Sequence, residues 1–130
     1  MLNNLGALRA GLKSRRGFTL VEIMIVVLII GILLAIAIPN FVRAREQSRA
    51  KACSANLKQI QSALQQYSMD SKLPAGSSVS NWTTTLVGST AYIKSTPSCP
   101  AGGTYTVANI DNNPTCNSST TTYPHSVDGN

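Results

Sequence analysis

Histidine occurs once in this chain, at His125, and acidic residues only five times in 130. No two of those acids stand at a spacing suited to general acid and base work, and the chain has neither a Gly-rich phosphate loop nor a nucleophile elbow. No catalytic residue is therefore assigned, and the chain reads as a non-enzyme. Cysteine occurs three times without a close C-x-x-C pair. Cys53, Cys99, Cys116 and His125 formally make a Cys₃His set, but the missing pair argues against zinc, so no metal and no cofactor are assigned. Asp111 and Asp128 are too far apart to suggest calcium and read as solvated loop residues. Aromatic residues are 5% of the chain, and none forms a stacking platform beside the basic residues, so direct nucleic-acid binding is not expected. Conduction along stacked aromatics has no support either, since only Phe41 intervenes between Phe18 and Tyr67.

What the chain does have is a long apolar run. Residues 23–38 carry no polar side chain, and Glu22 is the one charge in the run that begins at Phe18. At about 1.5 Å per residue, a helix over 18–38 crosses a hydrocarbon core of about 30 Å. Before it stands a short leader with Arg9, Lys13, Arg15 and Arg16, no acid, and Gly17 at its end. A secretory signal carries its apolar region ahead of the cleavage site, whereas a cut after Gly17 leaves the apolar helix on the mature chain. Such a cut exposes an α-amino cation on Phe18, with Glu22 about one helical turn beyond it. An acid at membrane depth costs on the order of 2.5–3.5 kcal/mol at the centre of a span, and less at the edge. Two readings of Glu22 remain open: an acid that snorkels to the headgroups, or one neutralised by an amine within or between chains.

The string Gly17-Phe18-Thr19-Leu20-Val21-Glu22, followed by the apolar run with Gly31 and Pro39, resembles the cleavage and methylation segment of type IV pilins and type II secretion pseudopilins. The resemblance covers about the first third of the chain. It implies cleavage between Gly17 and Phe18 by an inner-membrane prepilin peptidase and methylation of the Phe18 nitrogen. It also implies that Glu22, with Phe18 and Thr19, directs subunit assembly by pairing with the Phe18 amine of a neighbouring copy. A helix apolar on every side has no stripe to set register, and a single acid meeting a single amine supplies one. Pro39 lacks an N–H and leaves the Ala35 carbonyl without its usual partner. Between Gly31 and Pro39 the helix can bend or loosen: the family pattern implies unwinding in a filament, and the plain alternative is a kink at the headgroups.

Beyond Pro39, Arg43, Arg45, Glu46, Arg49 and Lys51 make a polar stretch. Cys53, Leu57, Ile60, Leu64 and Tyr67 then fall on one helical face and form a seam for packing against a small sheet. Two heptads are too few to support a coiled coil. Nothing breaks the helix before Leu73-Pro74-Ala75-Gly76, so it should run from Phe18 to about Met69.

The last sixty or so residues are rich in Ser, Thr, Asn, Gly and Pro. A short helix or turn is expected at 80–86, an extended piece at 91–93, a strand at 104–108, and its partner near 120–123. So small a head leans on the seam and on covalent help. Cys99 and Cys116 bracket the strand and its turn, and a disulfide between them closes a loop of about 18 residues, worth roughly 3 kcal/mol. The segment from Cys99 to Cys116 also resembles the C-terminal part of some pseudopilin-like prepilins. Cys53 reads as a small core hydrophobe, with pairing to either other cysteine left open. Asn81-Trp82-Thr83 and Asn117-Ser118-Ser119 fit the glycan acceptor pattern, a triplet that Ser/Thr-rich chains produce by chance.

The expected fold class is α+β: a long N-terminal helix, hydrophobic then amphipathic, packed on a small C-terminal antiparallel sheet with a loop and a disulfide. The divisions are a leader at 1–17, a membrane and filament-core helix at 18–40, an amphipathic helix at 41–70 and a head at 71–130. Four basic residues flank each side of the span, so charge alone leaves orientation tied. The leader's peptidase and a disulfide-bonded head place the leader in the cytoplasm and the head outside. Removing the leader's four cations takes the net charge from +6 to about +2, so basicity points to anionic headgroups before assembly and not to nucleic acid. The resulting expectation is a type IV pilus subunit for adhesion, motility or DNA uptake. Its partners are its own copies, the peptidase, an inner-membrane assembly platform, minor pilins and lipid. The alternatives are a secretion pseudopilin and a monomeric anchored binding domain.

Overall fold

The structure, a computed structural model, describes residues 17–128. The basic leader, Arg9 to Arg16 included, lies outside the described residues. The first element, α1, runs over Leu20–Asp70, 51 residues. Two compact units divide inside it, between Ile38 and Pro39.

In the first unit every large apolar side chain from Phe18 onward is exposed, and none is buried by another part of the chain. The helix there has no tertiary partner and is held by local backbone bonding, since its many Ile and Val residues have only modest helix propensity of their own. α1 continues past Gly31 and through Pro39. A Cβ at Gly31 would meet nothing within 4 Å, so packing in the single chain does not require glycine there.

In the second unit α1 acquires a buried stripe: Ala50, Cys53, Ser54, Leu57, Ile60, Ala63 and Leu64. Four of the five expected seam residues are fully covered, and Tyr67 packs half-buried at the end of the stripe. Tyr67 meets Tyr92 edge to face, with centroids 6.1 Å apart, and the Tyr92 hydroxyl donates to Asp70 Oδ2 at 2.7 Å. The helix ends in a Schellman motif. Leu73 N–H donates to Ser68 O (3.0 Å) and Lys72 N–H to Met69 O (3.3 Å), with Lys72 left-handed at φ 49°.

Against the stripe pack Val79, Leu86, Ile93, Cys99, Tyr105, Cys116 and Val127. Leu86 comes from α2, Trp82–Leu86, the short helix expected at that place, and Ile93 is held by a bridge to Val87. Strand β1 is Tyr105–Thr106, within the expected segment. Its partner is not at 120–123: β2 is Thr115–Cys116, antiparallel, with Tyr105 opposite Cys116 and Thr106 opposite Thr115. The Asp111 to Pro114 turn returns the chain at once, and the nearer segment offers alternation with Cys116 inward and Thr115 outward. Residues 120–123 instead close a turn on themselves, through Thr120 N–H to Tyr123 O and Tyr123 N–H to Thr120 Oγ1.

Polar side chains of α1 tie it to the loops. Ser54 Oγ donates to Ser126 O (2.6 Å), Asn56 Nδ2 to Ser98 O (2.9 Å) and Tyr105 Oη (3.0 Å), and Gln61 Nε2 to Asn113 Oδ1 (2.7 Å). Asp111 accepts the Gly76 N–H and Asp128 is exposed, so neither is drawn into an acidic cluster among the described residues.

Candidate functional site

The N-terminal end of α1 is built by its own side chains. Thr19 Oγ1 accepts the Glu22 N–H at 3.2 Å, while Glu22 Oε2 accepts from Thr19 N (3.0 Å) and Thr19 Oγ1 (3.2 Å). This is a capping box: threonine as N-cap and glutamate at the third helical position satisfy each other's backbone donors. The T-x-x-E spacing of Thr19-Leu20-Val21-Glu22 carries that signal, and sequence reasoning passed over it in favour of the Phe18 amine. Both intramolecular bonds end on Oε2, and Oε1 has no partner among the described residues. The carboxylate also lies at the positive end of the helix dipole. Phe18 and Gly17 stand exposed immediately before the cap.

The helix behind this cap is the one stretch among the described residues long and apolar enough to cross a membrane. The cap, the single acid and the apolar helix together define a class: chains that begin with a long, uncovered apolar helix led by a capped acid.

Comparison with known proteins narrows the class. Residues 12–38 match the prokaryotic N-terminal methylation motif, and residues 42–123 match a family described as a protein of unknown function (DUF1559). The type IV major pilin protein PilA of Myxococcus xanthus is 56% identical over 48 residues, which cover 37% of this chain and 22% of that protein. The ComG operon protein 3 homolog of Bacillus licheniformis is 32% identical over 74% of this chain and 93% of its own length. Type II secretion system core protein G of Pseudomonas aeruginosa is 31% identical over 72% of each chain. No solved structure matches. The chain belongs to the type IV pilin and pseudopilin family, whose members are structural subunits, and its N-terminus fits a membrane-anchored pilin or pseudopilin.

The head contains a second grouping. Cys53 from α1, Cys99 from the 99–103 turn, Cys116 from β2 and His125 from the C-terminal segment are all buried. One ligand atom from each lies within 4.8 Å of the others. All three cysteines are free, so the Cys99–Cys116 disulfide expected from the sequence is not formed. Cys116 lies among two other thiols and an imidazole. Burial pushes the Cys53 thiol up to about 12, with Tyr105 opposing and the neighbouring Cys116 and Cys99 adding to the rise. Burial acts the same way on Cys99, yet hydrogen bonds from the Ala101 and Gly103 backbones, from His125 and from Cys116 outweigh it and bring that thiol down to about 6. Tyr105 is itself raised, chiefly by burial.

Proposed function

We propose that this chain is the subunit of a type IV pilus, polymerised through its N-terminal helix. The reading rests on one observation: an apolar helix wholly uncovered in the single chain, beginning with a cap that carries the only acid of the span. In membrane the lipid tails cover that surface. After cleavage between Gly17 and Phe18 and methylation of the Phe18 nitrogen, the same surface packs against identical helices, and Glu22 Oε1 receives the Phe18 amine of an adjoining copy. The capping box orients the carboxylate for that contact while Oε2 remains engaged with Thr19. Gly31 and Pro39 provide the place where the helix opens as copies close together.

The proposed path runs from a single-pass inner-membrane precursor, through a prepilin peptidase and an assembly platform with minor pilins, to an extracellular fibre serving adhesion, motility or DNA uptake. Glu22→Ala should insert in membrane normally and yield few or no filaments in sheared surface fractions. Normal filaments from that variant would defeat the reading.

The match to core protein G over 72% of each chain favours a second reading, the subunit of a secretion pseudopilus. Electron microscopy of sheared cells with mass spectrometry of the fibres separates the two. This chain as the main surface polypeptide supports the pilus; its absence there, with loss of protein secretion on deletion, supports the pseudopilus. A monomeric anchored domain would keep residues 1–17, which intact-mass measurement detects.

A further inference from the structure

The composition of the head cluster is unusual for a core. Three thiols and the chain's one imidazole, drawn from positions 53, 99, 116 and 125, meet in a space closed to solvent. We propose that Cys53, Cys99, Cys116 and His125 form a structural zinc site that joins α1 to the head.

The geometry is close to what the ion requires. Zinc bonds of about 2.3 Å to sulfur and 2.0–2.1 Å to nitrogen, arranged tetrahedrally, place neighbouring ligand atoms about 3.5–3.8 Å apart. Cys99 Sγ and His125 Nδ1 already stand at 3.7 Å. With the whole set inside 4.8 Å, the others need to close by about 1 Å or less, within reach of small side-chain rotations. Thiolates and imidazole suit zinc and not the oxygen-seeking calcium or magnesium. Four protein ligands leave no open position, so the site holds structure and performs no catalysis.

The surroundings support the ligands. Cys99 stands on a turn closed by Gly102 N–H to Cys99 O (2.9 Å) with Gly102 at φ 79°. A Cβ at Gly103 would sit 2.7 Å from Cys116 Sγ and nearer still to Ser118 Oγ, so only glycine lets that backbone approach the sulfur. On the other side Asn56 Nδ2 donates to Tyr105 Oη, and Tyr105 packs in the same buried cluster as Cys53. Such outer contacts fix ligand orientation. A Cys99–Cys116 disulfide would use two of the four groups and leave Cys53 and His125 facing it in the core. A metal ion uses all four.

The test is made on the full-length chain in detergent, purified without oxygen from zinc-replete cells. Elemental analysis should find about one zinc per chain, and intact mass should show all three thiols retained. Exchange with cobalt(II) alone should produce thiolate-to-cobalt charge-transfer bands with tetrahedral d–d bands. His125→Ala and Cys53→Ser should weaken metal retention at least tenfold. Gly103→Ala, which removes no ligand, should weaken it as well by displacing Cys116, and it guards against a ligand variant that fails to fold. Intact thiols without stoichiometric zinc in the wild-type chain would overturn the proposal. A wild-type mass lower by two hydrogens, mapped to a Cys99–Cys116 bond in chains from the native cells, would overturn it too. Metal content does not depend on polymerisation, so failure here is distinct from failure of the filament reading.

Discussion

Glu22 carries two duties that substitution can separate. Its carboxylate caps α1 through Thr19, a bond a neutral amide can also make, and it supplies the negative charge proposed to meet a neighbouring amine. Glu22→Gln should therefore keep the helix start, as judged by amide exchange over the first turn, yet lose filament assembly as Glu22→Ala does. Thr19→Ala should do the reverse, loosening the first turn by about 1 kcal/mol while retaining most assembly. If Glu22→Gln assembles normally, the cap and not the charge is what the filament uses. In the head, Asn56 holds Ser98 O and Tyr105 Oη together. Asn56→Ala leaves the buried phenol short of a donor and should lower head stability by about 1–3 kcal/mol in thermal unfolding.

At the scale of elements, α1 is two helices in chemistry and one in backbone. Its first part has no buried face, and its second part carries a stripe spaced three and four residues apart. Leu57 lies at the centre of that stripe with no exposed surface. Leu57→Ala should cost about 2–5 kcal/mol and lower the melting temperature of the head by roughly 10 °C or more, without changing membrane insertion. The end of α1 offers the opposite change. Lys72 sits at the left-handed position of a Schellman motif, where a Cβ is unfavourable and glycine is at ease. Lys72→Gly should raise stability by up to about 1 kcal/mol, read as a small increase in melting temperature. The seam was legible in the sequence because helical periodicity repeats over several turns. The partner of β1 was not, because two-residue strands carry too little alternation to distinguish 115–116 from 120–123.

For the molecule as a whole, stability is divided unequally. The first unit depends on lipid or on other copies to cover its surface, and the second closes a core of its own around the α1 stripe. Detergent removal should accordingly aggregate the chain through residues 18–38 while near-ultraviolet circular dichroism of the head persists. Loss of the head signal under the same treatment would contradict this division.

The sequence by itself determined the long apolar helix, the methylation motif at its start, the position of the acid, the extent of α1 and the face that packs. Each is a local matter of hydropathy, spacing within a few turns, or a short motif. Only the tertiary structure decided that β1 pairs with 115–116 and that three cysteines and a histidine spread over more than seventy positions converge on one point. Spacing along the chain reports ligands that share a turn or a hairpin. These four arrive from a helix, a turn, a strand and a C-terminal loop, and their distances are set by how the core closes and not by how many residues separate them.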